Sequence, residues 1–417
     1  MIIADKVLKV ILINIIYIAL LSFLLFSVLT PGDILSYRIA ALAGIAVFNI
    51  FLFKYLPNIS VKITGIKLSN VEKIIFAASV LPFIFVLILK IRLEPYGMWD
   101  AWAMWNLKSK DIAFDFIGGQ NFNIFRPEWH HPGYSVMLPL FYAFFIVNFG
   151  FFSEQIVFFI NSLLFFAFIL MIYVLYGLIR TEKKYKMYLF LSMLYFLNFH
   201  FLNQTLELCA DFMLSVFFSF MFYIYYQIKY KYIKNINLIY FLLFLFLGTL
   251  PLLKNEGMIL AVVFFAVFSF ENKNDLLKKS TLVLYAVIGF LIPFSFFTLY
   301  KVIAPELSPM TLTFDQLFNN LLDISRYKVL ILGLMYFHIV VLFAFVPFVI
   351  FMFRKYLKHS LAFVILILIH GIYTGIFLIT TENQMWHIAT AYERIHLQLM
   401  PAFLLVSLGS LGCNNKA

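Results

Sequence analysis

The sequence predicts an all-α, polytopic membrane protein of about twelve transmembrane helices. Of its 417 residues, 64% are hydrophobic and only 12% are charged, about half the charged share of an ordinary soluble chain. Apolar runs recur at close to the ~20 residues that an α-helix needs to cross a bilayer. Lys and Arg gather between those runs in a pattern set by topology. These observations exclude a water-soluble core, and residues 1–417 read as a single integral membrane domain. The net charge of +11 would suggest nucleic acid in a soluble protein; here it follows the membrane, and no nucleic-acid partner is expected.

The apolar runs lie at 7–29, 38–56, 72–91, 155–178, 187–203, 211–228, 237–253, 257–271, 280–300, 329–353, 360–380 and 398–412, with a further run at 132–150. The first follows Asp5, Lys6 and Lys9 and has no small-residue cleavage site before Pro31, so it reads as an uncleaved anchor. More than half of the 31 Lys and Arg fall in 54–73, 180–186, 229–234, 273–279 and 354–358. The positive-inside rule assigns those segments to the cytoplasm. Three crossings then carry residue 92 to the outer face, and the basic segment 180–186 demands an odd number of crossings after 131. Two apolar runs lie in that interval. The one at 132–150, which opens His131-Pro132-Gly133 and is interrupted by Pro139, therefore reads as a re-entrant or interfacial helix.

With both termini inside, the outer segments are 30–37, 92–131, 204–210, 254–256, 301–328 and 381–397. Cys209 and Cys413 fall near opposite faces and cannot bond to each other. The acceptor patterns at Asn58 and Asn203 read as chance, and no internal repeat supports an inverted-repeat transporter.

Every Trp of the chain, namely Trp99, Trp102, Trp105, Trp129 and Trp386, lies in just two outer loops. Simple interfacial anchoring would use both faces of the membrane, whereas exposed indoles also pack against sugar CH groups and isoprenoid chains. After Asp100, the spacing of Trp102, Trp105, Ser109, Ile112 and Phe116 predicts one face of a helix lying on the membrane, with Lys108, Asp111 and Asp115 on another. Asp100 heads that helix, as a backbone cap or as a base. Glu94 stands six residues earlier, so the loop offers two carboxylates for proton abstraction, for a divalent cation, or for simple solvation.

Five outer motifs follow in order: Trp99-Asp100-Ala101-Trp102, His131-Pro132-Gly133-Tyr134, Glu207-Leu208-Cys209-Ala210-Asp211, Lys254-Asn255-Glu256-Gly257, and Tyr392-Glu393-Arg394 with Gln398 and Pro401. Together they resemble the GT-C superfamily of membrane glycosyltransferases, which includes protein O-mannosyltransferases and aminoarabinose transferases. The resemblance implies a GT-C-like fold and transfer of a sugar from a polyprenyl-phosphate carrier to a lipid, glycan or protein acceptor, on the periplasmic or extracellular face of the cell membrane. It implies Asp100 as general base, with 92–150 as the catalytic region. Lys254 and Arg394 would stabilise the departing phosphate, where snorkelling to the interface or a local pair with Glu393 are the alternatives. Asp211 and Glu207 would position the acceptor or cap a helix, His131 would bond a phosphate or order its loop, and Trp102, Trp105 and Glu256 would contact substrate. His130, His387 and His396 are too scattered for a metal site, and no cofactor is required beyond the alternative of a divalent cation. An O-antigen-type polymerase or ligase would favour a basic outer loop. A lipid-linked sugar flippase or transporter would place ionisable groups near the bilayer midplane.

Overall fold

The computed structural model describes residues 2–59, 70–119, 133–178, 202, 205–303, 314–333, 335, 361–381 and 383–412. Every element among them is helical. In chain order these are α1 (Ile2–Val28), α2 (Ile34–Ile59), α3 (Asn70–Leu93), a π-helical turn (Ala101–Trp105) running into α4 (Asn106–Gly118), α5 (Met137–Phe149) and α6 (Glu154–Leu178). They continue as α7 (Ala210–Lys229), α8 (Ile236–Leu253), α9 (Gly257–Glu271), α10 (Lys273–Lys278), α11 (Ser280–Ile303), α12 (Phe314–Leu322) and α13 (324–333). The last are α14 (Leu361–Ile379), α15 (Gln384–His387), a second π turn (Ile388–Tyr392), α16 (Glu393–Leu397) and α17 (Met400–Gly412).

Seven of these helices, α1, α2, α6, α7, α8, α11 and α14, are long and apolar enough to cross a membrane. The chain is an α-helical membrane protein. Of the other expected crossings, 72–91 lies within α3. The runs 257–271 and 398–412 form helices of 15 and 13 residues, short of the ~20 needed to span alone. Those at 187–203 and 329–353 lie mostly outside the described residues.

α7 is the buried axis. It packs against α6, α8, α16 and α17, and all of its side chains from Ala210 to Gln227 are buried. One residue in four along it is polar: Asp211, Ser215, Ser219, Tyr223 and Gln227. Its far end binds the start of α1, where Tyr223 Oη donates to Asp5 Oδ1 at 2.5 Å and Lys9 Nζ donates to Gln227 Oε1 at 3.1 Å. Lys9 is sealed against Asp5 at 2.9 Å. A charge in that position is tolerated because α7 supplies its partners.

The 132–150 run becomes α5, packed between α4 and α1 with nearly every side chain buried, and closed by Gly150 at φ +80°. Before α4 the expected helical stripe is only partly right. Trp105, Ser109, Ile112 and Phe116 share one face, which is buried, but Trp102 is exposed and Lys108 is buried. The π turn at 101–105 accounts for Trp102. Its wider i→i+5 turn rotates Trp102 out of line with Trp105, and Trp102 meets Trp99 edge to face at 6.1 Å instead.

α8 and α11 make the closest backbone approach of the bundle. A Cβ at Gly248 would meet Phe290 O at 2.5 Å, and one at Gly289 would meet Phe241 O at 2.4 Å. Small residues at such crossings let helices associate where no hydrophobic effect drives them together. Gly289→Leu is expected to lower the melting temperature in detergent by several degrees, as overpacking of about 1–3 kcal/mol would. Gly371→Leu, which faces open space, should melt as wild type does; equal losses in both variants would contradict the packing argument.

Candidate functional site

Four of the predicted outer segments meet at one end of α7 and α8. Asp211, the second residue of α7, receives Lys254 Nζ on Oδ1 at 2.9 Å. Lys254 follows the last residue of α8 and turns back to Glu256 Oε1 at 3.0 Å. The turn depends on Gly257, because a Cβ there would fall 2.0 Å from Leu250 O. Gln398, between α16 and α17, donates through Nε2 to the same Oδ1 of Asp211. Arg394, on α16, brings its Nε to 3.7 Å from Asp211 Oδ2 and pairs through Nη1 with Asp100.

Asp100 reaches that arginine because its loop is clamped onto the start of α7. Met98 N donates to Glu207 O at 3.3 Å, and Gly97, at φ +72°, leaves no room for a Cβ, which would lie 2.8 Å from the same carbonyl. Leu208 turns the chain into α7 with φ +61°. The cap expected of Asp100 is not made: no side-chain bond closes the π turn, and the carboxylate goes to Arg394 instead. Asp211 likewise does not act as the cap of α7, since its carboxylate is engaged by Lys254, Gln398 and Arg394.

The network grades from sealed to open. The Lys254 and Asp211 side chains are 3% and 2% exposed, whereas Arg394 and Asp100 are each 20% exposed. Lys254 does not snorkel. Burial would push its ammonium down, but Asp211 and Glu256 hold it above the usual lysine range. Burial opposes the charge on Arg394 as well, and Asp211 and Asp100 hold it raised. Its partners are thus on other segments, rather than Glu393 alone. Tyr134, at the foot of α5, has its phenol pushed up to about 12 by Glu256 first and then by burial.

The remaining predicted residues divide. Glu207 sits at the edge of the network, where burial, only partly offset by Lys90, pushes its carboxyl up to about 7. Glu94, just past the end of α3, is half-exposed and pairs with Lys90 of that helix rather than with the network. Trp105, expected as an exposed indole, is fully buried and meets Tyr134 edge to face at 5.9 Å; the π turn buries it while exposing Trp102. His131 lies outside the described residues. Three histidines join an aromatic stack instead of a metal site: Tyr392 lies 4.1 Å from His396, which meets His370 at 4.7 Å, and Phe377 lies 4.8 Å from His387. Among the described residues no group of three or more His, Cys, Asp or Glu is placed to hold a metal ion, the central carboxylates being engaged by Lys254 and Arg394. Tyr134, which closes the His131-Pro132-Gly133-Tyr134 motif but was given no role, and Tyr373, which nothing in its spacing marks, share the field of these charges.

No protein family, no curated protein and no solved structure matches the chain.

Glu207 gives the site a pH signature. With its ordinary value of 4.5 raised to about 7, it holds a proton in the fold that the unfolded chain has lost between those values. Stability therefore falls as pH rises from about 4.5 to about 7 and is flat above, by linkage. Melting temperatures in detergent between pH 5 and pH 8 should show this decline in wild type and a flatter curve in Glu207→Gln. Parallel curves would mean that the proton is not held.

Proposed function

We propose that the chain is a glycosyltransferase that moves a sugar from a polyprenyl-phosphate carrier to an acceptor hydroxyl, at the outer face of the cell membrane. The observation that carries this reading is the ion network of Asp100, Arg394, Asp211, Lys254 and Glu256. It gathers one base and two cations from distant segments at the ends of apolar helices, and its open edge is the Asp100–Arg394 pair.

The acceptor oxygen attacks the anomeric carbon, and Asp100 takes the hydroxyl proton. The bond between that carbon and the phosphate oxygen breaks, and the phosphate leaves with the electron pair. Arg394 and Lys254 stabilise the charge that develops on it. Arg394 links the two halves of this step. A phosphate bound at its planar, bidentate guanidinium competes with Asp100 for it. Donor binding thus releases the base that the acceptor needs. The position of the charges favours chemistry over transport: Asp211 begins its helix and Lys254 follows the end of another, whereas a transporter concentrates ionisable groups at the bilayer midplane.

Transfer from a labelled polyprenyl-phosphate sugar in membranes tests the reading. Asp100→Asn, nearly isosteric and still able to accept from Arg394, is expected to lose at least about 100-fold in rate, as removal of a general base does, while expressing normally. Full activity in a folded Asp100→Asn protein overturns the assignment of the base. A wild-type protein that consumes no such donor overturns the class, leaving a polymerase, ligase or flippase to be tried.

A further inference from the structure

Buried polar atoms in folded proteins are nearly all hydrogen-bonded, because one left without a partner has lost its water and gained nothing in return. Among the described residues, the buried side-chain atoms without a hydrogen-bond partner include Trp105 Nε1, Tyr373 Oη, Gln398 Oε1 and Glu256 Oε2, all near the ion network. They come from four different segments. Trp105, Tyr373 and Gln398 are at least 99% buried.

Their placement is fixed by contacts already described. Gln398 holds Asp211 through Nε2, which orients its amide, since a carboxylate only accepts; Oε1 is turned the other way. Glu256 uses Oε1 on Lys254 and keeps Oε2 unused. Tyr373 meets His396, two residues before Gln398, edge to face at 6.3 Å, and its hydroxyl lies in the field of Glu256, Lys254 and Asp211. Trp105 packs on Tyr134, which feels Glu256, Lys254, Asp211 and Arg394.

The set mixes its chemistry. The indole only donates, Gln398 Oε1 and Glu256 Oε2 only accept, and a phenol does both. A phosphate, which offers acceptors alone, would satisfy the indole and the phenol and leave the two acceptors facing its oxygens. A group carrying several hydroxyls satisfies all four, because each hydroxyl both donates and accepts.

We infer that Trp105, Tyr373, Gln398 and Glu256 form a polyol subsite that reads the hydroxyls of the transferred sugar, separate from the cations that meet its phosphate. This rests on the glycosyltransferase reading. It turns Trp105 from an aromatic platform into a hydrogen-bond donor, and it makes Tyr373 a specificity-determining residue.

Binding to the purified full chain in detergent separates the two claims. The probes are farnesyl phosphate and farnesyl phosphates carrying glucose, galactose, mannose or arabinose. Wild type is expected to bind at least one sugar-bearing probe about ten-fold or more tighter than farnesyl phosphate. Tyr373→Phe, which keeps the ring and removes one polar atom, should lose about ten-fold of that advantage, the worth of a buried hydrogen bond, with farnesyl phosphate affinity unchanged. Without ligand, Tyr373→Phe should melt at or above the wild-type temperature, since it removes an unmatched hydroxyl. A clear drop in that temperature, or equal losses on every probe, overturns the subsite. If farnesyl phosphate binds and no sugar improves it, the subsite alone fails. If no probe binds at all, the glycosyltransferase reading fails with it.

Discussion

The contact between Lys254 and Asp211 is the constraint around which the rest of the site is arranged. Two nearly inaccessible charges 2.9 Å apart are stable only if the cost of removing them from water is repaid by further partners. Glu256 and Gln398 supply those partners, and Arg394 extends the network toward Asp100. Breaking such a pair from one side leaves an uncompensated buried charge, a larger penalty than losing the attraction itself. The pair therefore fixes where α7, the break between α8 and α9, and the segment before α17 must meet. The catalytic role proposed for Asp100 depends on that prior arrangement.

Much of this was legible in the sequence for a physical reason. Charged residues are sparse in so apolar a chain, so Asp211, Lys254, Glu256 and Arg394 stood out against their surroundings, and charge parity assigned their segments to one side. What spacing could not give was partnership. Lys254 could equally have reached water, and Arg394 could have closed on Glu393. Only the folded chain chooses between a neighbour in sequence and one nearly 300 residues away.

The misreadings also have causes. A stripe at Trp102 and Trp105 assumes 3.6 residues per turn, and one π turn breaks that phase without leaving a mark in residue type; π turns of this kind are common at functional sites. The i, i+4 spacing of Asp5 and Lys9, with the polar residues repeating every four along 211–227, was the available clue that these helices bury polar groups against each other. His131 and the rest of 120–132 lie outside the described residues.

The same polar spacing on α7 bears on how the protein reaches its membrane. α7 has a hydropathy of 1.2, the lowest of the seven long helices, and 94% of its apolar window is buried inside the protein. A segment so rich in unshielded polar groups partitions weakly into hydrocarbon by itself. Its polar positions find partners on α1, which precedes it in the chain and meets Tyr223 and Gln227. α8, with Lys254 behind it, arrives only afterwards. The most central helix of the finished protein is thus the one least able to insert unaided, and chain order supplies its shelter from one end before the other.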